Sequence, residues 1–290
     1  MEKVLITGCD GQLGLELQKK LKNKYELILA NKLSLDISQF ENTFNFITEN
    51  KPNIIINCAA FTAVDLSEQQ KDRAFQVNSI GPKNIAIAAE QIGAKLVHIS
   101  SDYVFDGQGI RDNTGNLRPY NESDLTNPQN IYGMSKLEGE NLVISNTDKY
   151  YIIRTAWLYG KGKNFVKTMI DKSKINIEVK VVNDQIGSPT SALELSSMIE
   201  KLITTDEYGL YHGTCEGYCS WFDLTNEIYK ILDIKTDVLP ILTEEIFQVA
   251  KRPKFSVLEN KKLKELNLYK FKNWKEALKI FLNDLQRRKK

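Results

Sequence analysis

The feature that most constrains the fold of this chain is a glycine-rich turn close to its first residue. Gly8, Gly11 and Gly14 have the spacing G-x-x-G-x-x-G, directly after the short apolar stretch Val4 to Thr7 and before a segment with leucines at helical spacing. Glycines in such a turn let the backbone approach a pyrophosphate, and the helix that follows presents unpaired N–H groups and the positive end of its dipole. The pattern and its position predict a dinucleotide-binding β-α unit, although the glycines alone would be weak evidence.

Strand-like and helix-like segments alternate through the first half of the chain. Short apolar stretches lie at Val4 to Thr7, Glu26 to Ala30, Ile54 to Ile56, Leu96 to Ile99 and Tyr151 to Ile153. A long helical stretch runs from about Glu68 to Ile92, and Gly81-Pro82 interrupts it. Because the strand Ile54 to Ile56 is apolar throughout, it is typical of a sheet covered on both faces. This order predicts an α/β fold with a Rossmann-type, doubly wound parallel sheet.

The regular alternation of strand-like and helix-like segments ends after Trp157. Short strands there mix with helices near 192–203, 221–232 and 273–285. We therefore predict two parts. Residues 1–156 form an NAD(P)-binding Rossmann domain, to which some later segments return. Residues 157–290 form mainly a smaller C-terminal substrate-binding lobe.

Composition and charge argue against several classes of function. The formal net charge is only +2, with the signs mixed along most of the chain, so there is no electrostatic reason to expect a nucleic-acid partner. No apolar run approaches the ~20 residues that cross a bilayer, and the N-terminus lacks the layout of a signal peptide. We expect a cytoplasmic protein with no membrane partner. The basic residues 286–290 are interpreted as a solvated terminus.

The four cysteines do not have the spacing of a metal site. Cys215 and Cys219 are four residues apart, but no second ligand pair and no nearby His-x-x-x-His accompanies them. Reduced cytosolic thiols are therefore the favoured interpretation.

The residues after the second strand bear on the choice between NADH and NADPH. An acidic residue that grips the ribose hydroxyls of NAD would normally end this strand, and Ala30-Asn31-Lys32 stands there instead. Lys32 could meet the 2′-phosphate of NADP, or it could be an ordinary surface lysine. Both cofactors therefore remain open.

Tyr132 and Lys136 form a candidate acid–base pair. They are four residues apart, so on a helix they share one face. A free tyrosine has a pKa of about 10, and a neighbouring ammonium group is expected to lower it. Ser101 ends the fourth strand, at the sheet edge where α/β proteins bind ligands, and its hydroxyl could donate to a substrate carbonyl. The Y-x-x-x-K spacing alone is common, so its value comes from this combination.

Together these motifs resemble the dTDP-4-dehydrorhamnose reductases, a family of extended short-chain dehydrogenases/reductases. The resemblance covers nearly the whole chain, through Gly8 to Gly14, Asn57 to Asp65, Ser100 to Gly107, Asn121 to Asp124, Asn130 to Lys136, Arg154 to Gly160, Asn183 to Thr190 and Arg252-Pro253. It implies an NADH- or NADPH-dependent oxidoreductase. The implied reaction reduces the C4 ketone of dTDP-4-dehydro-L-rhamnose to dTDP-L-rhamnose, a nucleotide-sugar precursor of surface polysaccharide.

The resemblance also implies a role for individual residues. The catalytic set would be Ser101, Tyr132 and Lys136, with Ser101 where the family often carries threonine. The residues implied to bind the cofactor are Gly8, Gly11, Gln12, Leu13, Gly14, Asp36, Ile37, Ala60, Phe61, Thr62, Tyr132 and Lys136. The residues implied to bind the dTDP-sugar are Ser101, Asp102, Trp157 and Arg252. Arg252 would meet the diphosphate, because a guanidinium group forks onto phosphate oxygens.

One family feature is not carried over to this chain. Some members bind Mg²⁺ at a dimer interface through three carboxylates, and Glu16 matches one of them. A second acidic position falls on Leu193, with Glu194 one residue late, and one residue rotates a helical side chain by about 100°. We therefore expect no metal site, and either a monomer or a homodimer.

Two alternative functions stay open beside the reductase. The first is a sugar-nucleotide epimerase of the same fold, which would hold NAD tightly through every cycle. A dehydratase is disfavoured because Tyr103 follows Ser101-Asp102 where a glutamate is usual. The second alternative is a non-catalytic, dinucleotide-binding regulatory subunit, which an intact Ser-Tyr-Lys set makes less favoured.

Overall fold

Parallel strands form the centre of the fold. The computed structural model describes residues 1–287, and residues 288–290 of the basic tail lie outside the described residues. In chain order the strands are β1 Lys3–Thr7, β2 Glu26–Ala30, β3 Ile54–Asn57, β4 Lys95–Ser101, β5 Ile110–Arg111, β6 Leu117–Arg118, β7 Tyr150–Thr155, β8 Leu158–Tyr159, β9 Glu178–Val182, β10 Ile186–Gly187, β11 Thr190–Ser191, β12 Gly209–His212, β13 Cys219–Ser220 and β14 Asp237–Ile241.

The helices cover this sheet and build the C-terminal part. They are α1 Gln12–Leu21, α2 Phe40–Asn50, α3 Val64–Gln69, α4 Lys71–Phe75, α5 Gly81–Ile92, α6 Ile131–Ile144, α7 Phe165–Ser173, α8 Ala192–Leu202, α9 Trp221–Leu232, α10 Lys261–Glu265 and α11 Trp274–Arg287. A π-helical turn spans Gln76–Ile80, and short 3₁₀ turns span Asp102–Val104 and Thr243–Glu245. The helices predicted near 192–203, 221–232 and 273–285 correspond to α8, α9 and α11. No helix within residues 1–287 is long and apolar enough to cross a membrane.

The main sheet has six strands in the order β12-β7-β4-β3-β1-β2, and all its pairings are parallel. The chain runs from β1 outward to β2 and then returns to β3 on the other side of β1. The strand order therefore reverses between β1 and β3, and ligands bind outside the carboxyl ends of the strands at such a point. The predicted α/β fold with a doubly wound parallel sheet is confirmed.

The strands are apolar throughout because helices cover both faces of the sheet. Leu5 and Ile55 belong to a core on one face, together with residues of α2 and α5. Val4, Ile6 and Ile56 belong to the core on the other face, together with residues of α1 and α8. Neighbouring residues of one strand are thus buried on opposite faces.

The second of these cores extends far beyond the first half of the chain. It continues through Cys215, Leu224 and Leu278, and β12 joins the sheet beside β7. This core therefore contains residues from both sides of residue 156. The assignment of residues 1–156 to the cofactor and 157–290 mainly to the substrate stays a prediction.

The predicted interruption of the long helix at Gly81-Pro82 is wrong. The chain is helical from Lys71 through Ile92, and the break falls earlier, at Gln70. A proline has no N–H to donate within a helix. Here a π turn precedes Pro82, in which the Gly81 N–H donates to the Gln76 carbonyl, so that the helix continues through the proline. Pro82 lies at the first turn of α5, where prolines are tolerated.

The C-terminal part folds back onto the carboxyl edge of the sheet. The Phe255 N–H donates to the Gly107 carbonyl at 2.8 Å, and the Ser256 N–H donates to the Ile186 carbonyl at 2.8 Å. These bonds bring Pro253 and Ser256 to the wall of the cavity described next.

Candidate active site

A cavity of about 830 Å³ opens at the carboxyl edge of the sheet. Nearly every predicted site residue lines it, namely Gly8, Gly11, Gln12, Leu13, Gly14, Asp36, Ile37, Ala60, Phe61, Thr62, Ser101, Asp102, Tyr132, Lys136 and Trp157. Arg252 does not line it. The segments that follow β1, β2, β3, β4 and β7 supply most of the lining, as expected for ligand binding at the carboxyl edge of a parallel sheet.

The glycine-rich turn is packed so closely that side chains would not fit. Gly8 has φ +60°, and a Cβ on it would lie 2.8 Å from the Ala59 nitrogen. A Cβ on Gly14 would lie 2.6 Å from the Gly8 carbonyl oxygen, so helix α1 begins directly against the turn. Gly11 is the N-cap of α1, and no side chain within residues 1–287 caps that end. The first N–H groups of α1 are therefore available to a phosphate, and the residues present fit a dinucleotide.

Charged groups line the cavity around the end of β2, where the sequence left the choice between NADH and NADPH open. Asn31 Nδ2 donates to Asp10 Oδ2 at 2.8 Å, and Lys32 lines the same wall. Arg73 lies over the Phe61 ring, 5.3 Å from its centroid, and also lines the cavity. Asp10 and Arg73 had not been singled out from the sequence.

Ser101 and Tyr132 both line the cavity, and their side chains lie within hydrogen-bonding reach of each other. Ser101 Oγ donates to Asp102 Oδ1 at 2.9 Å and accepts the Tyr103 N–H at 3.2 Å. Burial raises the pKa of Tyr132 to about 12, and a hydrogen bond with Ser101 opposes that rise. At neutral pH Tyr132 is thus a protonated phenol in reach of Ser101.

The pKa of Tyr132 is raised, whereas the sequence had led us to expect that Lys136 lowers it. Lys136 Nζ donates to the Ile99 carbonyl at 2.6 Å, and burial is the largest influence on the pKa of the tyrosine. Burial also lowers the pKa of Lys136 itself to about 8, against the opposing charge of Glu140. The expectation failed because it considered the neighbouring charge and left out desolvation.

A buried ion pair lies one helical turn beyond Lys136. Glu140 accepts hydrogen bonds from Arg154 Nη2 at 2.7 Å and Nε at 3.0 Å, and the Ser100 hydroxyl also donates to it. The two side chains are 2% and 5% exposed. The pair joins α6 to β4 and β7, beside the catalytic set.

Asp102 is a carboxyl group held out of water. Burial raises its pKa to about 6, while hydrogen bonds from Ser256 and Ser101 work in the other direction. Its Oδ2 is buried and has no hydrogen-bond partner among residues 1–287. A buried acceptor without a partner lowers the free energy of unfolding, and such unpaired groups are found where a ligand is to be bound.

Trp157 has a strained backbone and a stacked side chain. Its φ is +46°, a left-handed conformation that costs a non-glycine residue about 1–3 kcal/mol. Its ring stacks on Trp221 with centroids 3.4 Å apart and planes within 5°. Trp221 also lines the cavity, and reasoning from the sequence missed it. The Ser220 and Asp223 capping box could have placed Trp221 at a helix start, but no sequence signal pointed it at the site.

Asn78 is another residue that was missed. Its side chain accepts the Phe61 N–H at 2.8 Å and donates to the Phe61 carbonyl at 3.1 Å. It also donates to Ser135 Oγ at 3.0 Å. Asn78 therefore ties the predicted cofactor loop to the helix that carries Tyr132 and Lys136.

Arg252 lies beside the main cavity but does not line it. Its Nη2 donates to Asp65 Oδ2 at 2.7 Å, while its Nη1 is buried without a partner in the described part of the chain. It lines a small neighbouring pocket that shares Tyr103 and Pro253 with the main cavity. Its predicted contact with a diphosphate stays a prediction.

The carboxylates weighed for a metal site are paired with lysines. Glu194 is buried, and Lys272 Nζ donates to it at 2.9 Å. Glu16 accepts from Lys19 Nζ at 2.5 Å, and Leu193 is 38% exposed.

Comparison with known proteins gives consistent matches along the chain. Residues 1–287 match the family model described as RmlD substrate binding domain. The chain is 40% identical to the spore coat polysaccharide biosynthesis protein SpsK of Bacillus subtilis, over 98% of each chain. It is similar to the crystal structure of a dTDP-4-dehydrorhamnose reductase from Clostridium acetobutylicum, with TM-score 0.94, 49% identity, and coverage of 98% of this chain and 99% of that one. The dTDP-4-dehydrorhamnose reductase from Bacillus anthracis in complex with NADP gives TM-score 0.93 and 44% identity, with the same coverage.

Proposed function

The chain belongs to the RmlD substrate binding domain family, and from this premise we propose that it reduces the C4 ketone of dTDP-4-dehydro-L-rhamnose with NADH or NADPH, giving dTDP-L-rhamnose. The observation that carries the proposal is the single cavity that unites the glycine-rich turn with Ser101, Tyr132 and Lys136. Its glycines and the open end of α1 suit the pyrophosphate, and its remaining walls are available to a second ligand.

NAD(P)H, when bound, supplies the hydride that the ketone carbon accepts. As the carbonyl oxygen gains negative charge, Tyr132 gives it a proton and Ser101 holds it by a hydrogen bond. The resulting phenolate recovers its proton from solvent. Lys136 supplies an ammonium group within the cavity wall, where it can hold the ribose next to the nicotinamide.

The protonation state of Tyr132 favours the reductive direction. Since burial raises its pKa to about 12, the residue is protonated at neutral pH, as a proton donor must be. An alkoxide is a far stronger base than a phenolate, so the proton transfer is still downhill.

We also propose that the protein acts in the cytoplasm, on a dTDP-sugar, as a monomer or a homodimer. All four cysteines lie in the described part of the chain and are free thiols, which suits a reducing compartment. Analytical ultracentrifugation would decide between one copy and two.

The test is oxidation of NADH and NADPH in the presence of dTDP-4-dehydrorhamnose. Replacing the proton donor, in Tyr132→Phe, should lower kcat by roughly 10²–10⁴-fold, while Tyr218→Phe, at an exposed tyrosine, should leave it unchanged. The ratio of the two cofactor rates in a Lys32→Ala variant would also reveal whether Lys32 selects NADPH.

Two outcomes would instead support the alternatives. A folded wild-type protein that binds NADPH but oxidises none would overturn the reductase assignment. Stoichiometric NAD in the purified protein would then favour an epimerase. A stoichiometric enzyme partner with no turnover by the chain alone would favour a regulatory subunit.

A further inference from the structure

We propose that Trp221 is a positioning residue for the nucleotide sugar: by stacking on Trp157, it holds that side chain in its left-handed conformation and so sets the affinity of the cavity for the sugar nucleotide. The inference rests on the proposed function and adds a residue to its substrate-binding wall.

The backbone of Trp157 requires an external restraint. Its φ of +46° lies in a region that glycine adopts freely and that a bulky aromatic residue rarely adopts. Such conformations persist only where the surroundings hold them in place. Without a restraint, residue 157 would relax to a negative φ, and its ring would leave the cavity wall.

Trp221 and Gly187 provide that restraint from the surrounding structure. The indole of Trp157 lies on that of Trp221, with centroids 3.4 Å apart and planes within 5°. A Cβ on Gly187 would lie 2.4 Å from Cε2 of Trp157, so the Gly187 backbone also presses against the indole. The ring therefore sits in a tight slot with little freedom to turn.

Trp221 is itself anchored independently of Trp157. It is the first residue of α9, which a capping box formed by Ser220 and Asp223 fixes in place. Its Nε1–H donates to Gln185 Oε1 at 3.2 Å, and the Phe165 ring packs on it at 4.3 Å. Since these anchors do not involve residue 157, Trp221 can serve as the template against which Trp157 is placed.

The sheet register places Trp157 close to Ser101, on the wall proposed for the sugar nucleotide. Thr155, two residues before Trp157, pairs with Ser101 across β7 and β4. The glycine-rich turn follows β1, which is separated from β4 by β3. Loss of the stack should therefore weaken binding of the nucleotide sugar and leave binding of the dinucleotide unchanged.

The experiment compares Trp221→Ala with Trp221→Phe, using Trp274→Phe as the control because Trp274 lies in the core outside the cavity. We expect Trp221→Ala to raise KM for dTDP-4-dehydrorhamnose by about tenfold, from the loss of one aromatic pair, with KM for NADPH nearly unchanged. Trp221→Phe should restore most of the affinity, since a ring still stacks although the bond to Gln185 is lost.

A second variant acts on Trp157 from Gly187 and leaves Trp221 intact. Gly187→Ala should produce the same selective rise in KM if the placement of Trp157 sets the affinity for the sugar nucleotide. If Trp221→Ala fails to fold, Trp221→Leu, which also removes the aromatic stack, takes its place as the test of Trp221. Unchanged KM for the sugar substrate, or an equal rise for both substrates, would overturn the inference.

Equilibrium binding of dTDP-glucose separates this inference from the proposed function. If the wild type binds NADPH but shows no turnover, the proposed function fails, and the affinity of each variant for dTDP-glucose still tests the role of Trp221. The expected result is a selective loss of dTDP-glucose affinity in Trp221→Ala, and equal affinity in the two proteins would contradict it.

Discussion

Among single residues, Asp102 shows most directly how a predicted binding group can conflict with stability. Its folded pKa of about 6 lies above its ordinary value of 3.8 because the group is buried. Between these two values the folded chain binds more protons than the unfolded chain, so this group lowers stability as pH rises through the window. Above about pH 6 the destabilisation by Asp102 has reached its full size.

Asp102→Asn should therefore stabilise the protein at neutral pH while weakening the dTDP-sugar affinity. The gain is up to about 3 kcal/mol, from about two pKa units at 1.36 kcal/mol each. Urea unfolding near pH 7.5 should reveal it, and near pH 4 it should almost vanish. Asp237→Asn, at an exposed position on β14, is the control. A gain of equal size at both pH values would contradict the explanation.

The pH dependence of turnover should follow Lys136. With its pKa lowered to about 8, the ammonium group loses its proton as pH rises through that value, and kcat/KM should fall. Glu140 opposes this lowering, so Glu140→Gln should move the fall to lower pH. Stopped-flow or steady-state profiles across pH 6–10 would measure it.

A double variant separates this electrostatic effect from simple damage to the fold. Glu140→Gln alone leaves Arg154 buried without its carboxylate, which is strongly destabilising. Adding Arg154→Met removes that charge and should restore stability while the pH profile stays shifted. A profile that returns to that of the wild type would mean that Glu140 does not influence Lys136.

Residue-level reasoning from the sequence found many of the chemically important residues of the cavity lining but not the geometry of the cavity. Ser101, Tyr132 and Lys136 were identified because their spacing and position carry chemistry. Trp221 and Asn78 were not, because their placement depends on which distant segments the fold brings together. The expected effect of Lys136 on Tyr132 failed because desolvation cannot be read from spacing.

Among the elements, α6 and the π turn fit together through one glycine. Pro82 has no N–H that could donate to the Asn78 carbonyl. A Cβ added to Gly139 would lie only 2.1 Å from that carbonyl oxygen. Backbone carbonyl and glycine are thus in direct contact between the two helices. From the sequence, Gly81-Pro82 indicated a break, because the π turn that absorbs the proline has no signature of its own.

Gly139→Ala should destabilise the protein although alanine is the better helix former. The forced separation of α6 from the π turn should cost about 2–3 kcal/mol, as for other overpacked sites. Glu138→Ala, at an exposed position of the same helix, should change stability by less than about 0.5 kcal/mol. Chemical unfolding of both variants tests this, and a more stable Gly139→Ala would show that the helices can part freely.

At the scale of the whole molecule, one core connects the two halves of the sequence. Cys9, Cys215 and Cys219 belong to it, and Cys58 packs against it. Burial raises the pKa of all four thiols, to about 12 for Cys58 and Cys215. The native thiols should therefore be nearly unreactive, because the thiolate is the reactive form.

Thiol labelling should thus report unfolding of both halves in one step. We expect the four cysteines to react in a single urea transition that coincides with the loss of circular dichroism. A Cys9→Ser/Cys58→Ser variant, compared with Cys215→Ser/Cys219→Ser, would report each half alone. Midpoints that differ between the two would mean that residues 1–156 and 157–290 unfold separately. The sequence predicted the alternation of elements well and indicated that some later segments return to the first part, but it did not show which residues of the two parts share a core.

The position of β12 has a consequence for synthesis on the ribosome. This strand closes the sheet beside β7, yet it follows β7 only after a long intervening stretch of chain. At ~5–20 residues per second, the outer edge of β7 is left without its partner for a few seconds. An unpaired strand edge exposes N–H and C=O groups that can form hydrogen bonds with a strand of another chain. A nascent chain stalled before Gly209 should therefore need a chaperone to stay soluble, whereas one released at full length should not.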